Sequence, residues 1–164
     1  MLRRPPVQVD PLDLADRQRE IEGVLPVSAF HRLSQWLDSD EGTVEVRLRF
    51  THDEAGRRVM RGRLSGDLQL VCQRCLAPFV LPVERSLDLV LVQTEAEAAQ
   101  VPEALDSLVV GEQRGVHVVD LVEDELILAL PLVPRCGDFG NACEPAAELL
   151  VSEGPADESG NGAP

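Results

Sequence analysis

The residues best suited to chemistry in this chain are four cysteines in two doublets, Cys72 with Cys75 and Cys136 with Cys143. The first is C-x2-C, a spacing at which a tight turn sets two thiolates side by side with backbone N–H groups aimed at the sulfurs. The second is C-x6-C, in a segment loosened by Gly137 and Gly140. Four thiolates in a tetrahedron suit a structural zinc ion, and two pairs with none left over fit that count. Such a site is closed to water, so its work would be to tie the loop over 131–143 to whatever carries Cys72 and Cys75. Two other readings stay open. One is a turn with two buried cysteines and two incidental loop cysteines. The other is a thiol redox or metal-responsive site using Cys72 and Cys75. A redox C-x2-C belongs at a helix N-terminus after a strand, whereas here Pro78 and Phe79 lead into a second strand-like run.

No other constellation points to catalysis. Every Lys/Arg position is arginine, so Schiff-base and P-loop lysine chemistry are excluded. His31, His52 and His117 are scattered, and neither a nucleophile elbow nor a glycine-rich phosphate loop occurs. The chain reads as a non-enzyme. Its formal charge of −14 repels polyanions at long range and attracts basic partners. Aromatic residues are 3%, too few for a base-stacking platform. Two local clusters stand out against that background. Arg47, Arg49, Arg61 and Arg63 alternate on two neighbouring strand-like runs. They form either a phosphate-contact stripe for RNA or the solvated face of a sheet. The segment over 93–125 carries nine acids against Arg114 alone. Within it Glu123, Asp124 and Glu125 are candidate contacts for a basic protein, or simply a solvated helix face.

The elements that must position the cysteines are mostly β. Val44, Val46, Leu48 and Phe50 alternate with charged residues, the period of a half-buried strand. A hairpin turn over 52–56 leads to a long strand with Leu64, Leu68, Leu70 and Cys72 on one parity, and Gly62 and Gly66 are expected to mark bulges. After the C-x2-C turn, Phe79, Leu81 and Val83, then Leu87, Leu89 and Leu91, alternate again. Short strands are expected over 7–9, 21–25, 107–110 and 116–119, a helical turn within 13–20, and a helix over 26–37 from Phe30, Leu33 and Leu37. Asp120 and Glu123 have the spacing of a capping box, which predicts a helix from there to about Leu130, with Glu123, Asp124 and Glu125 on its wet side. The fold class is therefore α+β: an antiparallel β-meander, as a sheet or partly open barrel, with two or three helices packed on it and a Cys-rich knuckle. Residues 1–143 make one domain, and 144–164 an acidic, disordered tail. The longest apolar stretch, Leu126–Val133, is too short to cross a membrane, and the N-terminus lacks a signal-peptide core, so a cytoplasmic protein is expected.

The run VCQRCLAPF at 71–79, followed by VDLVEDELILALPLVP at 119–134, resembles the YceD family of large ribosomal RNA subunit accumulation proteins. The leading residues Val9-Asp10-Pro11 and Glu22-Gly23-Val24 are similar to that family's start. The family's trailing loop mixes Cys and His, and here Cys136 and Cys143 fill that place with wider spacing. The resemblance implies a non-enzymatic ribosome biogenesis factor supporting accumulation or processing of large-subunit (23S) rRNA. It also implies a client: a basic large-subunit ribosomal protein, the small zinc-ribbon protein being one candidate, or the rRNA itself. Neither a membrane nor a small-molecule substrate is expected as a partner.

Overall fold

The computed structural model describes residues 5–112 and 115–144. The expected tail from residue 145 onward lies outside the described residues. In chain order the elements are β1 (Gln8–Val9), α1 (Pro11–Asp16), β2 (Glu20–Pro26), β3 (Thr43–His52), β4 (Arg58–Val71), β5 (Pro78–Val92), α2 (Glu95–Ala98), β6 (Asp106–Val109), β7 (Val116–His117) and α3 (Val118–Ala129). Short 3-10 turns occupy Val27–Ala29, Leu33–Trp36 and Cys136–Phe139. The main sheet has strand order β2-β3-β4-β5-β6, with β2 to β5 an antiparallel meander and β6 added parallel to β5. A separate two-stranded ladder pairs β1 with β7. The α+β architecture follows the alternation in the sequence.

The core lies on one face of the meander. Val44, Val46, Leu48 and Phe50 from β3, Met60, Leu64, Leu68 and Leu70 from β4, and Phe79, Leu81, Val83 and Leu87 from β5 are all buried there. α1, α3 and the segment around Phe30 and Leu33 cover this face. Alternation sets the register, since a one-residue slip would turn the apolar set to water. The strands run without a bulge: β3 to β4 pairs continuously from Val44↔Gly66 to His52↔Arg58, and β4 to β5 from Val59↔Val90 to Val71↔Pro78. Gly62 and Gly66 therefore do not mark bulges. They are points of close approach. A Cβ on Gly62 would lie 2.8 Å from Leu48 Cδ2, and one on Gly66 2.7 Å from the Thr43 carbonyl oxygen.

Two helix expectations need correction. Residues 26–37 form two 3-10 turns rather than one helix, with Phe30 extended between them at φ −96, ψ 90. The cause is a competing acceptor. The backbone N–H groups of Arg32 and Leu33 donate to the Glu123 carboxylate, not to carbonyls a turn earlier. The helix near residue 120 begins at Val118, with His117 as N-cap and no side-chain cap. Its first N–H donates to the Val7 carbonyl (3.1 Å), so the β1–β7 ladder, not an Asp120 capping box, sets the start.

Candidate metal centre

The two cysteine doublets meet. Cys72 closes the end of β4, and its N–H donates to the Ala77 carbonyl (2.9 Å), forming the hairpin turn into β5. Cys75 sits in that turn, and Leu76 follows it at φ +59. α3 ends at Ala129, and Pro131 and Pro134 then carry the chain back towards the turn. The Gln73 N–H donates to the Pro134 carbonyl (2.8 Å), which brings the following 3-10 turn, Cys136–Phe139, onto the knuckle. Phe139 stacks on Phe79 of β5 with centroids 5.8 Å apart. Gly140, at φ +81, reverses the chain so that Cys143 returns to the same point.

The four sulfurs all lie within 4.8 Å of one another. Cys72 Sγ and Cys143 Sγ are 3.7 Å apart, and Cys75 Sγ and Cys136 Sγ 3.6 Å. A tetrahedral zinc with arms of about 2.3 Å needs sulfur–sulfur edges of about 3.8 Å. Each of these two contacts joins a knuckle cysteine to a loop cysteine, so the cluster is shared by two chain segments. The N–H groups of Arg74 (3.4 Å), Cys75 (3.5 Å) and Cys136 (3.4 Å) all donate to Cys72 Sγ.

Those donors decide the electrostatics. Burial works against a thiolate at Cys72, but the N–H groups of Cys75, Cys136 and Arg74 outweigh it and bring the thiol down to about 5. Cys136 goes the other way: burial and hydrogen bonds with the sulfurs of Cys143, Cys75 and Cys72 push it up to about 12. One thiolate is thus favoured, and further negative sulfurs beside it call for a cation. The donor set, the two short sulfur–sulfur contacts and the N–H···S bonds fit a closed four-thiolate site. No helix starts at the C-x2-C, so the arrangement lacks the frame of a thioredoxin-type redox pair.

Residues 60–161, which include all four cysteines, match the family described as large ribosomal RNA subunit accumulation protein YceD. Over 146 residues the chain is 33% identical to the Haemophilus influenzae protein of that name, covering 89% of this chain and 83% of that one. The chain belongs to the YceD family. No solved structure matches it. Nothing in the family's description indicates a catalytic activity, and no described helix of this YceD chain is long and apolar enough to cross a membrane.

The other candidate residues of this YceD-family chain fall in two places. Arg47 pairs in register with Arg63, and Arg49 with Arg61, so the four share the sheet face opposite the core. Like charges directly opposite are unfavourable, and carboxylates on the flanking strands offset them. Arg47 pairs with Glu22 at 2.6 Å, Arg61 with Asp88 at 3.3 Å and Arg63 with Glu84 at 3.3 Å. The stripe therefore runs between two acidic rails.

The acidic trio is not on a common wet face. The Glu123 side chain is only 4% exposed. It accepts from the Leu33 N–H (2.9 Å), Arg32 Nε (2.9 Å) and the Arg32 N–H. Burial opposes its charge, but the Leu33 N–H and the Arg32 side chain prevail and hold the carboxyl below its usual range. Glu125 turns towards Arg85 (3.4 Å) and is 13% exposed. Asp124 alone is open, at 57%, though it pairs with Arg32 at 2.6 Å. The helix period gave no sign of this, because the 3-10 segment packed against α3, not α3 itself, buries Glu123.

Proposed function

We propose that this chain is a non-catalytic cytoplasmic factor in large-subunit biogenesis, acting as a protein scaffold in the accumulation of large-subunit (23S) rRNA. The observation that carries this reading is the 33% identity over 89% of the chain to a protein named for that accumulation. Cys72, Cys75, Cys136 and Cys143 would hold one structural zinc ion. Bound there, zinc supplies a fixed cross-link and charge neutralisation, and no open position for a reactant. The chain's own groups do the rest. The N–H groups of Arg74, Cys75 and Cys136 orient the Cys72 sulfur, and the Phe79–Phe139 stack holds the loop against β5.

The partner chemistry follows from charge. A chain of net charge −14 screens a cationic ribosomal protein from premature contact with RNA. Asp124 remains the one exposed acid of the trio for such a contact. Arg47, Arg49, Arg61 and Arg63 would face RNA, with backbone phosphates competing against Glu22, Glu84 and Asp88 for the guanidinium groups. The test is deletion in the native host, measuring large- against small-subunit rRNA. A fall in the large-subunit share is expected, restored by the intact chain and not by Cys72→Ser/Cys75→Ser. An unchanged ratio in the deletion strain would overturn the reading. RNA binding of Arg61→Ala/Arg63→Ala tests the stripe separately, with weaker binding and a shallower salt dependence expected.

A further inference from the structure

Three exposed apolar residues, Trp36 (64%), Leu132 (fully exposed) and Val133 (50%), meet on one surface near the C-x2-C turn. A groove of about 660 Å³ runs between the end of β4 and the segment after α3. Trp36, Leu70, Ile127, Leu130, Leu132 and Val133 wall it, and no ionisable side chain lines it. Gathered apolar surface of this kind marks an interaction site more often than chance exposure does.

The C-x2-C turn supplies Gln73 to the groove wall, and Leu76 of the same turn is 64% exposed.

The rim gives the polarity of the occupant. Asp38 follows Leu37 of the wall, and its N–H donates to the Gln69 carbonyl (2.7 Å), beside Leu70. Asp38 and Asp40 are exposed and pair with no cation among the described residues. Arg74 and Arg135 follow Gln73 and Pro134 of the wall along the chain and do not line the groove. We infer that the groove takes an amphipathic segment of a basic protein, its apolar face on Trp36, Leu132 and Val133 and its cationic end over Asp38 and Asp40. This rests on the proposed function for the choice of a basic client.

Trp36 is the single tryptophan, so its fluorescence reports the groove directly. The probe is a tryptophan-free amphipathic peptide of leucine and lysine, with a leucine–glutamate peptide of the same pattern as control, added to the full chain. The expected result is a saturable blue shift of Trp36 emission with the lysine peptide alone. Leu132→Ser/Val133→Ser, at exposed positions, should weaken binding about tenfold, and Asp38→Asn/Asp40→Asn should remove most of its salt dependence. An equal response to both peptides, or none, overturns the inference. So does a blue shift produced by protein concentration alone, which would assign the groove to a second copy. A red shift on deleting residues 145–164 would assign it to the chain itself and likewise overturn it. Failure of peptide binding with rRNA loss intact in the deletion strain would sink the groove and spare the proposed function. Groove-dependent binding with rRNA unaffected would do the reverse.

Discussion

The sheet and the loop over 131–143 are held by different means. The sheet is a ladder: β3, β4 and β5 pair without interruption, and each carries apolar residues into one core. Any single contact there is backed by neighbours on both sides. The loop has no ladder, and leaves Leu132 and Val133 exposed. It is anchored by the Gln73–Pro134 hydrogen bond, the Phe79–Phe139 stack and the four sulfurs. Where a segment buries too little apolar surface to offset its ordering entropy, a cross-link takes over. The same hairpin thus has a self-supporting body and a tip that depends on a cluster.

Metal removal should separate the two most strongly. A site holding zinc at a free concentration about a thousandfold above its Kd adds about 4 kcal/mol, which in a chain of this size is about 10 °C in Tm. Chelation should lower Tm by that amount and open Cys136–Cys143 to exchange within the folded chain, while β3 and β4 exchange only by global unfolding. If the sheet opens together with the loop in one step, the distinction fails.

The reverse case is Leu64→Ala. Leu64 is fully buried in β4, so its truncation should cost about 3 kcal/mol in denaturant unfolding. Metal stoichiometry below the transition should not change. A variant that also loses metal would show that the tip leans on the core more than the geometry says.

Glu123 joins α3 to the 3-10 segment and should be worth about 2 kcal/mol when replaced by Gln, since Arg32 then loses a charged acceptor. Its carboxyl is held below the usual value in the folded chain. The stability it contributes is therefore complete above the unfolded value of about 4.3 and lost as pH falls through the folded one. The Tm difference between the intact chain and Glu123→Gln should be constant near neutrality and shrink on acidification below about pH 4. A difference that grows on acidification would contradict the assignment.

The smallest effect sharpens the contrast at the tip. Leu76→Gly removes left-handed strain worth about 1–2 kcal/mol, less the added freedom of glycine in the unfolded chain. It should raise Tm slightly without changing metal content.

These particulars also show what the sequence could disclose. The alternation Val44-Val46-Leu48-Phe50 and the parity of Leu64, Leu68, Leu70 and Cys72 carry the meander, because a strand's period is local. The meeting of the two doublets was legible as chemistry, from four thiols in two pairs, although no local rule brings Cys143 to Cys72. The helix expected over 26–37 was not legible correctly. Phe30, Leu33 and Leu37 have helical spacing, but the acceptor that breaks the helix is Glu123, some ninety residues away. The acidic trio failed for the same reason. Gly62 and Gly66 are legible as special positions, yet a bulge and a close approach use the same residue, and only the position of Leu48 and Thr43 separates them.

The measurement that bears most directly on this account is metal content and thiol accessibility of the purified full chain. The account predicts one zinc per chain and four cysteines that resist a thiol reagent until a chelator is added. A metal-free, folded chain whose four thiols react at once would contradict it.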